Sequence, residues 1–173
     1  MTRFGFKQID TSNWLEPDPI MRGFIRVDPE HGVTDLQGDD WVEAIMRPSL
    51  FEAIPEDVQA LFEVARGAMV YGSLFYPLFT LAAEQLFRVA ESAISHKCRL
   101  MQAPMSLKTF ASRIQWLVER GAIPSAQLQS WQATRGLRNT ASHPEQQSIM
   151  TPANAIGIVE RTAGLISSLF ESA

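Results

Sequence analysis

The feature of this sequence that most constrains its fold is a stripe of apolar residues at helical spacing between residues 73 and 97. The steps along the stripe alternate between four and three residues, which is typical of a helix that buries one face. At 1.5 Å per residue, the stripe runs for more than roughly 20 Å. We therefore predict a long central helix that begins between Ser73 and Pro77 and ends near Lys97. Its apolar positions are Phe75, Phe79, Ala82, Leu86, Val89 and Ala93.

Four further segments have helical patterns, and each has a recognisable start or stop. They are residues 55–72, which open with Pro55 and stop at Gly72; residues 106–121, capped by Ser106; a helix that opens at Pro124 and Ser125; and a helix that opens at Thr151 and Pro152. The last segment has a regular stripe (Ile156, Val159, Ala163, Ile166 and Phe170) and should pack beside the central helix. The sequence thus predicts an all-α fold, an antiparallel bundle of four to five helices.

Residues 1–53 are the least periodic part of the chain and contain Trp14, Trp41 and four prolines. Residues 22–27 and 33–36 flank a run of turn residues and predict a short β-hairpin. We expect residues 1–53 to be an extension laid over a helical domain of residues 54–173, with its tryptophans as anchors. Its many acids suggest two further roles, binding of a partner or covering of a basic groove.

Cysteine content and hydropathy favour a cytoplasmic protein. Cys98 is the only cysteine, so no internal disulfide can form. Residues 1–10 have no apolar core of the signal-peptide kind. Residues 67–83 are uncharged, but they are shorter than a membrane span and are interrupted by Gly72, Ser73 and Pro77, so a buried helical corner is expected there. No metal-ligand cluster and no glycine-rich phosphate loop is present, and we predict no cofactor.

Charge is distributed unevenly about a net value of −4. Residues 1–53 hold five Lys or Arg against ten Asp or Glu, whereas residues 88–138 hold eight basic residues against two acids, Glu91 and Glu119. The basic half is consistent with a surface that follows a phosphate backbone. Ordinary solvated helix faces are the equally weighted alternative.

The strongest candidates for catalytic residues lie in the segment from Leu137 to Pro144. On an ideal helix Asn139 lies over His143, and Arg138 lies over Ser142. Arg138 and His143 converge only if the helix ends or distorts between them, and the proline that follows His143 favours such a break.

This Arg138-x4-His143 spacing resembles the motif of HEPN domains (higher eukaryotes and prokaryotes nucleotide-binding). The resemblance covers roughly the last 120 residues in helix order, and residues 138–143 alone carry it specifically. It implies an all-helical, commonly dimeric fold in which two motifs face each other. It also implies a metal-independent ribonuclease acting on RNA, such as tRNA, in toxin–antitoxin, phage-defence or RNA-processing systems, with an antitoxin or other protein as partner. A non-catalytic HEPN-like dimerisation, RNA-binding or partner-binding module is the alternative.

Under the ribonuclease hypothesis, His143 is the general acid or base, Arg138 binds the scissile phosphate and Asn139 orients them. Ser142 and Arg135 are supporting donors. Glu84 or Glu91 of the central helix is expected either to orient the motif or to form ion pairs with Arg88 on a solvated face. Without the resemblance, Arg138 and Asn139 are read as helix-capping residues and His143 as a surface residue. His31 and His96 are expected to be structural.

Overall fold

The structure is a computed structural model that describes residues 6–28, 32–141 and 150–171, and that describes the backbone alone at residues 26, 28, 34 and 135–141. Within these residues the chain forms six α-helices and one antiparallel hairpin. The predicted all-α bundle with a largely irregular N-terminal region is confirmed. The elements are β1 (Ile25–Asp28), β2 (Gly32–Asp35), α1 (Gly38–Met46), α2 (Glu56–Tyr71), α3 (Leu78–Leu100), α4 (Phe110–Glu119), α5 (Leu128–Ala141) and α6 (Pro152–Glu171).

Helix α3 is the central element, and it contacts α2, α4, α5 and α6. The predicted stripe is buried from Phe79 to Ala93. Phe75, the first stripe residue, precedes α3 and is half-buried. The long apolar face therefore does what its spacing predicted: it gives four neighbouring helices a common core.

Helices α2 and α3 meet at a tight corner built around Gly72. Helix α2 ends at Tyr71, beside the predicted stop. A Cβ atom added to Gly72 would lie 2.2 Å from two ring carbons of Phe79, a fully buried residue. The φ angle of Gly72 is −58°, so the corner requires glycine for close approach of the ring and not for left-handed backbone.

Helices α3 and α6 run side by side in the same direction. At one end, the hydroxyl of Tyr76 donates a hydrogen bond to the carbonyl oxygen of Met150, which precedes α6. At the other end, Nζ of Lys97 lies 5.8 Å from the ring centroid of Phe170. The final helix therefore packs beside the central one, as its apolar stripe predicted.

Two of the later helices, α4 and α5, begin further along the chain than predicted. Helix α4 begins at Phe110 because Thr109, not Ser106, caps it: the Thr109 hydroxyl accepts from the backbone N–H of Ser112 at 3.1 Å. A 3-10 turn over Ser125–Gln127 precedes α5, which delays the helix by three residues. Thr151 caps α6 as predicted, accepting from the backbone N–H of Asn154 at 3.2 Å.

The N-terminal region contains the predicted hairpin, with Val27 paired to Val33. Its first strand is shorter than predicted, because Arg22 lies in a 3-10 turn (Pro19–Gly23) that Asp18 caps. Helix α1 was not predicted; it buries Trp41 and Ile45 against the bundle.

The two tryptophans of this region have opposite environments. Trp41 is 1% exposed and is a true anchor, whereas Trp14 is 57% exposed, so the prediction that it anchors the extension was wrong. Met21 and Leu36 join Trp41 in the same core as the later helices. The domain boundary at residue 53 stays a prediction. No helix in the described ranges is long and apolar enough to cross a membrane.

Candidate functional site

The predicted motif begins on the last turns of α5. The backbone is helical at Arg135, Arg138 and Asn139, so these residues share one helix, as the spacing argument assumed. Ser142 and His143 lie outside the described residues, and so do the side-chain positions of the three residues on α5. The convergence of Arg138 and His143 stays a prediction.

Helix α5 runs antiparallel to α3 and α6. Its start is fixed where Nε2 of Gln127 donates a hydrogen bond to Oγ of Ser168 at 2.9 Å, near the end of α6. Further along, Thr134 shares a cleft with Phe87 of α3 and Ile158 of α6. The backbone of Arg138 comes one turn, or about 6 Å, beyond Thr134. The motif therefore lies toward the amino-terminal ends of α3 and α6.

Glu84 lies at this same end of α3, one turn before Phe87. Its side chain is partly buried and makes no hydrogen bond or ion pair with another described residue. Arg88, which is exposed, likewise forms no ion pair among the described residues, so the predicted Glu84–Arg88 pair is not formed. The helix directions bring Glu84 to the level of Arg138, as the orienting role requires. Whether their side chains meet stays a prediction.

A cleft between α3, α5 and α6 adjoins the motif. Phe87 contributes its floor, and Arg161 is the one charged side chain among its described lining residues. Sequence reasoning missed this cleft. The signal for it was Arg161 itself, the single Lys or Arg between residues 152 and 171. The remaining lining residues are Ser130, Ala133, Thr134, Ile158 and Thr162.

The basic half of the chain does not present all of its charge to solvent. Lys97 is 4% exposed, and burial lowers the pKa of its ammonium group. Arg113 is held internally, because Nη1 donates to Oγ of Ser95 at 2.7 Å. Among the residues of this half whose side chains the structure describes, the exposed cations are Arg88, Arg99, Lys108 and Arg120. A phosphate-binding surface beside the motif would therefore use fewer basic residues than the sequence count suggested, and it would not include Arg99, which lies near the opposite end of α3.

The second histidine has a structural role, as predicted. Nε2 of His96 lies 2.6 Å from Oδ2 of Asp57, which links the end of α3 to the start of α2. The hydrogen bond from His96 lowers the pKa of the Asp57 carboxyl group. His31 lies outside the described residues.

Tyr76 contacts Met150, the first residue that the structure describes after the motif. Its hydrogen bond to Met150 brings the chain back beside the amino-terminal end of α3. Burial, and to a lesser degree the charge of Asp18, raises the pKa of the Tyr76 hydroxyl, so it remains a neutral donor at physiological pH. Ala141 and Met150, the described residues on either side of Ser142 and His143, therefore lie toward the same end of the bundle.

Among the described residues, no group of three or more His, Cys, Asp or Glu side chains is placed to hold a metal ion. Comparison of the chain with protein-family models, with curated proteins and with solved structures finds no match.

Proposed function

We propose that this chain is a metal-independent endoribonuclease of HEPN type. The observation that carries the proposal is the Arg138-x4-His143 spacing at the carboxyl-terminal end of a bundle helix. The helical backbone from Arg135 to Ala141 supports it, because the motif geometry assumed a helix up to this point. The position of Glu84 at the level of Arg138 adds a carboxylate suited to orienting a cation.

The chemistry follows from the residue types. A base removes the proton from the RNA 2′-hydroxyl, the 2′-oxygen attacks the adjacent phosphorus, and the 5′-oxygen leaves after accepting a proton. The products are a 2′,3′-cyclic phosphate and a 5′-hydroxyl. His143 serves a proton-transfer role, because an imidazole can both donate and accept a proton at neutral pH. Arg138 stabilises the charge that develops on the phosphoryl oxygens, and Asn139 orients the two.

One histidine and one arginine are too few for all of these tasks. A homodimer that places two motifs together supplies a second proton-transfer group and a second cation. Ser142 and Arg135 are supporting donors in this composite site. We propose that the protein acts in the cytoplasm as a toxin or phage-defence effector on RNA such as tRNA, and that an antitoxin or other protein restrains it.

The test is cleavage of total RNA and of tRNA in excess EDTA by the wild type and by His143→Ala and Arg138→Ala. We expect the histidine variant to lose roughly 10²- to 10⁴-fold in rate and the arginine variant about 10²-fold or more. Matched controls are His96→Ala and Arg99→Ala, since both residues lie near the opposite end of α3. The controls should cleave like the wild type.

Retained cleavage by His143→Ala would remove His143 from the mechanism. Absence of cleavage by every form, together with a dimer that persists in the variants, would favour the non-catalytic module instead.

A further inference from the structure

The cleft beside the motif has a polar rim formed by two helices. Ser130 and Thr134 come from α5, and Arg161 and Thr162 come from α6. The hydroxyl of Thr134 is engaged, because it donates to the carbonyl oxygen of Ser130 at 3.0 Å. The donors that remain for a ligand are the Ser130 hydroxyl on α5 and the side chains of Arg161 and Thr162 on α6.

Arg161 has no carboxylate partner among the described residues. The adjacent acid, Glu160, is paired instead with Arg47 at the end of α1. Arg161 is exposed and lines the cleft, so its guanidinium group is solvated and available. An arginine of this kind is suited to bind two oxygens of one phosphate.

The guanidinium of Arg161 is directed toward the motif end of the bundle. A Cβ atom built on Gly157 would lie 3.8 Å from Nη2 of Arg161, so the side chain folds back over the preceding turn of α6. That turn is nearer the amino-terminal end of α6, toward which Arg138 also lies.

Thr162 provides a second polar group. It is 5% exposed and lines the cleft, and it makes no hydrogen bond with another described residue. Among the described residues, the buried side-chain atoms that lack a partner are on Arg66 and Trp131, so the Thr162 hydroxyl is not one of them and is open to the cleft. There, beside Arg161, it can donate a hydrogen bond to a ligand oxygen.

We propose that this cleft binds an RNA phosphate next to the scissile one, with Arg161 as the cationic contact and Thr162 as a hydroxyl donor. The proposal rests on the proposed function, and it adds a positioning site that the motif lacks. Arg161 lies about one helical turn from Arg138 along the bundle, so one RNA strand can contact both. Because the contact is with the backbone, it should be independent of base sequence.

The test measures binding of a fluorescent single-stranded RNA at several salt concentrations, in a His143→Ala parent that does not cleave it. Adding Arg161→Gln should weaken binding about tenfold and reduce the salt dependence by roughly one phosphate contact, a slope change of about 0.7. Arg161→Lys should retain the slope and lose affinity only in part. Thr162→Val should weaken binding severalfold without changing the slope. The matched control, Arg99→Gln, should leave the affinity within about twofold of the parent.

Thermal melting of each variant shows whether the fold is retained; Arg161→Gln, at an exposed position, should melt with the parent. Unchanged affinity and slope in Arg161→Gln would overturn the phosphate site, and the function would still stand if the wild type cleaves RNA. Binding that depends on Arg161, without cleavage by the wild type, would support the site and overturn the ribonuclease. No RNA binding by the parent would overturn the site as well.

Discussion

The two fully buried tryptophans, Trp41 and Trp131, lie in two regions of the molecule that differ in how completely their polar groups are hydrogen-bonded. Nε1 of Trp41 donates a hydrogen bond to the carbonyl oxygen of Val70 at 3.0 Å. Trp41 also packs on Phe79, with ring centroids 5.3 Å apart, where α1, α2 and α3 meet. Trp131 lies on the motif helix α5, and its Nε1 has no hydrogen-bond partner among the described residues.

The same contrast extends to the surroundings of each tryptophan. At the α2–α3 corner, Asp18, Gly72, Tyr76 and Phe79 form a region in which the polar groups are paired and space is filled. In the cleft between α3, α5 and α6, Thr162 makes no hydrogen bond with another described residue, and Arg161 has no acidic partner among them. Polar groups that the protein itself leaves without a partner are more often found where a protein binds a ligand. Stability is therefore expected to depend on the corner, and function on the cleft and the adjoining motif.

The largest stability effect should come from Asp18→Ala at the corner. The buried carboxylate accepts hydrogen bonds from the backbone N–H groups of Lys7, Ile20 and Tyr76, at 3.3, 3.2 and 3.0 Å. Removing it leaves those donors without their acceptor and should lower the free energy of unfolding by about 3 kcal/mol or more. Denaturant unfolding measures this.

The matched control is Asp10→Ala. Among the described residues, this exposed carboxylate accepts hydrogen bonds from the nearby Ser12 and Asn13 alone. Because water can replace these bonds at an exposed site, its loss should cost clearly less than the loss of Asp18. Equal costs for the two aspartates would contradict the view that the corner is a principal source of stability.

The second largest loss of stability should come from Gly72→Ala. Its Cβ would overlap the buried ring of Phe79, so we expect a loss of about 2 kcal/mol in the free energy of unfolding. Gly164→Ala in α6 is the control: nothing lies within 4 Å of its Cβ, and the higher helix propensity of alanine should stabilise the protein by about 0.5 to 1 kcal/mol. Effects of the same sign in both variants would show that the close approach at Gly72 has been misjudged.

The smallest expected difference in the free energy of unfolding is between substitutions of the two tryptophans. Trp41→Phe and Trp131→Phe remove similar volumes, but the first also removes a hydrogen bond and the second removes an unpaired donor. Trp41→Phe should therefore cost about 1 kcal/mol more than Trp131→Phe in chemical denaturation. A larger cost at Trp131 would indicate that its N–H is satisfied in solution.

The corner was partly predictable from sequence, because regular spacing of apolar residues predicts a helix with a buried face. The stripe from Phe79 to Ala93 and the stop at Gly72 followed from periodicity and helix-stop chemistry. The physical reason for Gly72 did not, since the contact with Phe79 depends on how two helices cross. Helix α1 was missed because its nine residues bury few side chains, chiefly Trp41 and Ile45.

The cleft was less predictable, because it is assembled from three separate helices. Motif spacing placed Arg138 and Asn139 on a helix, and the structure has that backbone helical. Arg161 stands out in the sequence only as the single Lys or Arg between residues 152 and 171. Its importance depends on the pairing of Glu160 with Arg47 and on the nearby α5, which no local pattern predicts. Lys97 and Arg113, counted among the basic residues of a possible RNA surface, are held within the bundle by packing that the sequence alone did not predict.

The most direct test of the central claim is end-group analysis of RNA incubated with the purified protein in excess EDTA. The account predicts fragments that end in a 2′,3′-cyclic phosphate and begin with a 5′-hydroxyl, and none with the His143→Ala variant. Fragments with other ends, or cyclic-phosphate fragments that persist with the variant, would contradict it.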